Sequence, residues 1–234
     1  MDNFIYECLG TAFLIILGNG VVANVVLKDT KGNNGGWIVI TFGWAMAVFC
    51  GVFVSAAHSG AHLNPAVTFA IAYLGKMEWS MVPVYVAGQM VGAMIGQVLV
   101  WLTYKNHYDV KNESDAIRAT FCTAPAIKHT TNNFITEVIG TFVLVLGVLL
   151  IVSPSASLGA MDALPVALLV LGIGLSLGGP TGYAINPARD LGPRIVHALL
   201  PIPGKGHNDW SYSWIPVFGP LSGSLLACIV FSVI

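Results

Sequence analysis

The groups best placed to do chemistry in this chain are two copies of one tripeptide, Asn64-Pro65-Ala66 and Asn186-Pro187-Ala188. Asparagine is a preferred N-cap and proline a preferred first helical residue, so each tripeptide reads as a helix start. An asparagine that caps its own helix through its oxygen leaves its NH2 group as a donor. Backed by the positive end of a helix, that donor can hold an oxygen of an uncharged molecule while a cation is repelled. Arg189 and Asp190 directly follow the second tripeptide, and Glu7 and Glu137 lie inside apolar stretches. These groups suit recognition by hydrogen bonding rather than the making of bonds. The sequence holds no His-Glu-x-x-His motif and no phosphate-binding glycine loop, so an enzyme is not expected. Cys8, Cys50, Cys122 and Cys228 are far apart and match no metal spacing; no metal and no cofactor is expected.

The elements that must position these groups are apolar. Hydrophobic residues make up 56% of the 234 and charged ones 9%, against about 25% charged in a soluble domain. Mean hydropathy is +0.77. Most side chains are therefore expected to face a lipid bilayer or one another. A net charge of −1 gives no reason to expect a nucleic-acid partner. The start, Met1-Asp2-Asn3, lacks a basic region and its apolar run continues to Leu27, which reads as a span and not a cleaved signal.

Six apolar stretches, near 4–27, 37–57, 80–103, 132–153, 162–180 and 212–234, suit a hydrocarbon core that takes about 20 helical residues to cross. The segment at about 104–131 carries Lys105, Asp109, Lys111, Glu113, Asp115, Arg118 and Lys128 and reads as a solvated linking loop. Two shorter apolar pieces begin at the tripeptides, Asn64 to about Tyr73 and Asn186 to about Leu199. A ten-residue helix is only about 15 Å long, so each reads as a half-helix that enters the membrane and stops.

The halves repeat. Glu7-Cys8-Leu9-Gly10-Thr11 answers Glu137-Val138-Ile139-Gly140-Thr141, the tripeptides answer each other, and Gly88-x-x-x-Gly92 answers Gly219-x-x-x-Gly223. The expectation is one domain, 1–234, with a first repeat at about 1–105 and a second at about 132–234. Three spans per half invert the second half relative to the first. The half-helices then enter from opposite faces and meet near the midplane. The glycine pairs, with Gly96, suit close helix crossing. Charge does not assign orientation: with both termini inside, seven basic residues (Lys28, Lys31, Lys105, Lys111, Arg118, Lys128, Lys205) fall outside and only Lys76 inside.

The segments before the tripeptides, Gly60-Ala61-His62 and Gly182-Tyr183-Ala184, are expected to be extended, with carbonyls lining a lumen as acceptors. Glu7 and Glu137 could relay protons, as intramembrane carboxylates do; the preferred reading is structural, each accepting hydrogen bonds from the loop before a half-helix. The His62 ring is read as bracing its loop. His58 is read as a polar residue at the pore mouth, with a gate or pH sensor as the alternative. Arg194 and His197 read as ordinary cations at a helix C-terminus, and Trp210, Tyr212 and Trp214 as anchors at the membrane interface.

Ser59-Gly60-Ala61-His62-Leu63-Asn64-Pro65-Ala66-Val67-Thr68 and Gly182-Tyr183-Ala184-Ile185-Asn186-Pro187-Ala188-Arg189-Asp190 resemble the two signature boxes of the aquaporin (major intrinsic protein) family. The resemblance covers essentially the whole chain. It implies an all-α membrane fold of six transmembrane helices and two re-entrant half-helices in inverted repeats, forming a right-handed bundle. It implies a multi-pass protein of the plasma membrane and a homotetramer with one pore per protomer. The family's narrowest constriction corresponds here to Trp44, Gly174, Tyr183 and Arg189. Water-selective members have histidine at the Gly174 position and usually phenylalanine at the Trp44 position, so the chain is similar to the glycerol facilitator (aquaglyceroporin) branch; Asp190 is also typical of it. The implied function is a passive channel for glycerol, water and other small uncharged solutes that excludes protons and ions. Gly174 removes a side chain and widens the gap, Trp44 and Tyr183 offer an aromatic corner to a CH edge, and Arg189 offers donors to hydroxyls on the other side. Tyr183 departs from the well-known bacterial glycerol facilitator, which has phenylalanine there. A hydroxyl at that point can narrow or polarise the filter and favour urea, dihydroxyacetone, hydrogen peroxide or protonated lactic acid.

Three alternatives stand beside this reading. A strictly water-selective channel would keep the fold and lose the wide constriction. An ion-coupled transporter shares inverted repeats and broken helices, but normally needs charged groups at the substrate site. A mainly structural junction protein of the same fold would not speed the shrinking of liposomes.

Overall fold

The computed structural model describes residues 1–151 and 156–234, and the last two residues of the stretch expected at 132–153 lie outside them. The first half contains α1 (Asp2–Val26), α2 (Gly36–Ser59), the short α3 (Pro65–Tyr73) and α4 (Val82–Thr103), the last preceded by a 3-10 turn. The connection holds two small helices, α5 (Lys105–Tyr108) and α6 (Ser114–Ala119). The second half contains α7 (Thr130–Leu150), α8 (Leu164–Leu177) with its own preceding 3-10 turn, the short α9 (Pro187–Leu199) and α10 (Ile215–Phe231). Five of these helices, counted with their 3-10 turns, are long and apolar enough to cross a bilayer.

The sixth, α10, has 17 residues and is shorter than the stretch expected at 212–234. Its start is delayed because Tyr212 and Ser213 bond back to Asp209 and Trp210 in turns, and Pro216 then sits in the first helical turn. At about 1.5 Å per residue α10 still reaches roughly 26 Å, the lower end of a span.

Helix packing follows the repeat. α1 lies along α4 and α7 along α10, and glycine permits both approaches. A Cβ on Gly92 would collide with the Cys8 carbonyl, and one on Gly223 with the Val138 carbonyl. The long helices also show apolar residues outward: Ile5, Leu9, Phe13 and Leu17 form an exposed i, i+4 stripe along α1. In water such a stripe would cost about 25 cal/mol per Å²; against lipid it costs nothing. Hydrophobic residues thus occupy both the inside and the outside of this bundle, and the buried polar residues mark what is special.

The connection is folded rather than simply solvated. Tyr108, Ile117 and Phe121 are fully buried in one cluster with Leu27, Val100, Val196 and Ile202. Its charges dominate the sequence pattern, yet its apolar residues pack down between α4 and α9.

Candidate functional site

The two half-helices start at their asparagines. Asn64 Oδ1 accepts from the Ala66 N–H at 2.9 Å, and Asn186 Oδ1 accepts from Ala188 at 3.0 Å and Arg189 at 3.2 Å. Pro65 and Pro187 occupy the first helical position, where a missing N–H does no harm. Each side-chain NH2 also reaches across the pseudo-two-fold axis. Asn64 Nδ2 donates to the Ile185 carbonyl and Asn186 Nδ2 to the Leu63 carbonyl, both at 2.8 Å. The NH2 groups are therefore not wholly free, as the sequence suggested. One hydrogen of each ties the two repeats together, and one remains for a solute.

The loops feeding these starts are not extended. Gly60, Ala61 and Leu63 have φ of +80°, +52° and +51°, and Gly182, Tyr183 and Ile185 have +79°, +38° and +43°. The four non-glycine residues hold a left-handed backbone that costs of order 1–3 kcal/mol each and needs outside support. Two buried carboxylates are in place to give it. Glu7 accepts from the His62 N–H at 2.9 Å and the Leu63 N–H at 2.7 Å. Glu137 accepts from Ala184 at 3.0 Å and Ile185 at 2.9 Å. Glu7 is held in turn by Ser59 Oγ at 2.7 Å and Gln89 Nε2 at 2.8 Å. The His62 ring lies 3.2 Å from Thr68 Oγ1 and tilts against Tyr85. With the N–H groups turned to the glutamates, the carbonyls of Gly60, Ala61, His62, Gly182, Tyr183 and Ala184 accept no hydrogen bond from the described residues. His58 stacks face to face on Tyr6, with ring centroids 3.7 Å apart.

Trp44, Tyr183 and Arg189 line two cavities at once. One, of about 100 Å³, also holds both asparagines and an apolar wall that includes Val48, Val52, Leu144, Val148 and Val170. The other, of about 350 Å³, opens among Val22, Trp37, Cys122 and Gly182. The three shared residues lie where the two cavities adjoin. The Arg189 guanidinium lies over the Trp44 ring, 4.3 Å from its centroid, a cation–π arrangement. The arginine thus covers a face of Trp44 instead of standing across the opening from it, as the sequence suggested. Arg189 Nη1 also donates to the Phe121 carbonyl at 3.5 Å, which receives Asn19 Nδ2 at 3.0 Å.

Gly174 does not simply leave a gap. A Cβ there would sit 3.0 Å from Tyr183 Cζ, 3.1 Å from its hydroxyl and 3.0 Å from Thr41 Cγ2. Tyr183 fills the room that the glycine leaves, and its buried hydroxyl has no hydrogen-bond partner among the described residues. Trp37 Nε1 donates to the Gly174 carbonyl at 2.9 Å.

Arg194 is the largest correction to the sequence reading. It is not a cation at a helix end: its relative exposure is 0%, as is that of Asp190. Arg194 Nε reaches Asp190 Oδ1 at 2.8 Å and Nη2 reaches Oδ2 at 3.1 Å. Arg194 further donates to the carbonyls of Thr123, Asn208 and Asp209, while Thr123 donates twice to Asp190. Two connecting segments are thereby clamped onto α9. The i, i+4 spacing of Asp190 and Arg194 in so uncharged a chain was the available signal. His197 is likewise buried, against Phe121. Trp210 and Trp214 are exposed as interface anchors would be, but Tyr212 turns inward.

One further pattern lies at the end of α8. Gly174-Leu175-Ser176-Leu177-Gly178 has the spacing of a hydrolase nucleophile elbow. That motif needs a strand-to-helix turn; here Ser176 is exposed on the last turn of α8.

This arrangement has known counterparts. The family model described as major intrinsic protein matches residues 1–231. The glycerol uptake facilitator protein of Streptococcus pneumoniae (strain ATCC BAA-255 / R6) is 56% identical over 99% of both chains. The probable glycerol uptake facilitator protein of Thermotoga maritima is 53% identical over 99% of both. The X-ray structure of the aquaglyceroporin from Plasmodium falciparum superimposes with a TM-score of 0.87 at 34% identity, covering 98% of this chain and 94% of that one. With a whole-chain family match, helices that span a bilayer and paired half-helix starts bridged at their asparagines, the chain is a multi-pass membrane protein that belongs to the major intrinsic protein family.

Proposed function

We propose that the chain is a passive channel of the plasma membrane, working as a homotetramer with one pore per protomer, that conducts glycerol and other small uncharged solutes. The observation that carries this reading is the neck: Trp44, Tyr183 and Arg189 separate two cavities, beside Gly174. A solute entering from the larger cavity exchanges water for fixed partners. Arg189 offers N–H donors to a hydroxyl oxygen, and Tyr183 offers its unpartnered hydroxyl. Beyond the neck, hydroxyl protons meet the row of free carbonyls and hydroxyl oxygens meet the remaining Asn64 and Asn186 N–H groups. The CH edge slides along Val48, Val52, Leu144, Val148 and Val170. A buried hydroxyl left unpaired costs about 2–7 kcal/mol, so a polar stripe opposite an apolar wall lowers the barrier for a molecule split in the same way.

Two helix N-termini and Arg189 disfavour cations at the centre. A water that accepts from both asparagine donors has both lone pairs engaged and cannot receive the next proton, which breaks a proton wire. Glu7, Glu137 and Asp190 serve as supports in this reading, since their oxygens bind backbone and side-chain donors of the structure itself. A strictly water-selective channel is not favoured. Urea, dihydroxyacetone, hydrogen peroxide and protonated lactic acid match the same chemistry as secondary solutes. Stopped-flow light scattering on proteoliposomes with glycerol, urea and sucrose gradients tests the proposal; glycerol entry no faster than in empty liposomes overturns it.

A further inference from the structure

We infer that Trp37 is a positioning residue for the neck: from α2 it holds the Gly174 carbonyl and the Tyr183 ring together, and so sets the width of solute admitted. The inference rests on the proposed role of the neck. Gly174 lies in the last turn of α8, which ends at Leu177. Carbonyls in a last turn have no N–H partner within the helix. The Trp37 indole supplies that partner at 2.9 Å from a helix 137 residues away in sequence. The same indole meets the Tyr183 ring edge to face, with centroids 5.8 Å apart at 80°. Gly178 makes room for this pair, since a Cβ there would fall 2.5 Å from Tyr183 Cδ1 and 2.8 Å from Trp37 Cζ2.

Tyr183 has few other restraints. Its hydroxyl bonds to none of the described residues, and its backbone is held in a left-handed conformation at φ +38°. Among the described residues the ring is held by packing, between the space above Gly174 and the Trp37 indole. Trp37 remains 39% exposed, and it lines the larger cavity together with Trp44, Tyr183 and Arg189. Removing the indole opens room on the outer side of the Tyr183 ring and releases the Gly174 carbonyl. The ring then swings outward and the neck widens.

The test uses purified Trp37→Phe, Trp37→Ala and Trp44→Ala, each reconstituted and normalised to incorporated protein. Permeability is measured for glycerol and for erythritol, a polyol one carbon longer. The erythritol-to-glycerol ratio should rise roughly fivefold in Trp37→Ala, about the factor carried by one neutral hydrogen bond. Trp37→Phe, which keeps an aromatic edge without the N–H, should rise by less. A Trp37→Ala ratio that is unchanged or lower, beside a raised ratio in Trp44→Ala, overturns the role of Trp37 and leaves the neck as the filter. An unchanged ratio in Trp44→Ala as well overturns the filter reading itself. If Trp37→Ala does not incorporate as folded protein, Trp37→Phe decides: a ratio above the parent supports the inference, and a ratio equal to it refutes it.

Discussion

Gly174→Ala should separate glycerol from water. The added methyl would lie 3.0 Å from Thr41 Cγ2 and 3.0 Å from Tyr183 Cζ, where carbon atoms prefer about 3.5–4.0 Å. Roughly half an ångström must be found on each side. Thr41 cannot yield easily, because it is buried and its hydroxyl bonds the Ile38 carbonyl at 2.9 Å. α8 cannot yield easily either, since Trp37 holds the Gly174 carbonyl. The Tyr183 ring is the part able to move, and the Trp37 indole packed against it blocks retreat on that side. The ring therefore moves into the neck. Overpacking of this kind costs about 1–3 kcal/mol. If that cost falls on a solute that fills the neck, glycerol permeability drops about 5-fold to 140-fold, because each 1.4 kcal/mol or so is a factor of ten. Water, being smaller, does not fill the neck and should lose much less. Stopped-flow light scattering under glycerol and sucrose gradients measures both on the same vesicles. Equal falls for glycerol and water, or no fall in glycerol, would refute the argument that Tyr183 and Gly174 jointly set the neck.

Other substitutions probe the remaining parts. Gly174→His with Trp44→Phe should cut glycerol flux more than water flux, read in the same assay as a changed ratio. Asn186→Asp keeps the helix cap but replaces the donor to Leu63 with a negative charge. Proton or cation leak, followed with a pH-sensitive dye in vesicles under a potential, should rise above that of the parent. Glu137→Gln turns an NH2 toward one of two backbone N–H groups that now have an acceptor. Leaving such a donor unpaired costs about 1–3 kcal/mol, so the thermal midpoint in detergent should fall by several degrees. Arg194→Leu alone strands the buried Asp190 carboxylate and should destabilise by about 3–5 kcal/mol. The double change Asp190→Leu with Arg194→Leu should cost less than the single one, and a double variant worse than the single would refute the uncompensated-charge explanation.

Family and architecture were legible because they rest on local signals. Long apolar runs, an Asn-Pro start repeated at the head of two short pieces, and paired glycines each report on their own stretch of chain. Element ends were read less well. α10 begins later than its hydropathy suggests because turns at Asp209 and Trp210 take up the preceding residues. The linking segment looked solvated because charge is visible in sequence, while the burial of Tyr108, Ile117 and Phe121 depends on partners from α1, α4 and α9.

The sequence by itself showed that two short helix starts carry asparagine and that two glutamates recur with them, while its resemblance to the family implied that Trp44, Gly174, Tyr183 and Arg189 belong to one constriction. Only the tertiary structure decided what those groups have left to offer. Asn64 and Asn186 each commit one N–H to the opposite repeat. Tyr183 takes up the room that Gly174 leaves. Arg189 lies on Trp44, and Arg194 is locked to Asp190. The physical reason is common to all of them. A residue's type fixes how many hydrogen bonds it can make and how much volume it can fill, but which of these are already taken depends on partners up to 137 residues away, as with Trp37 and Gly174.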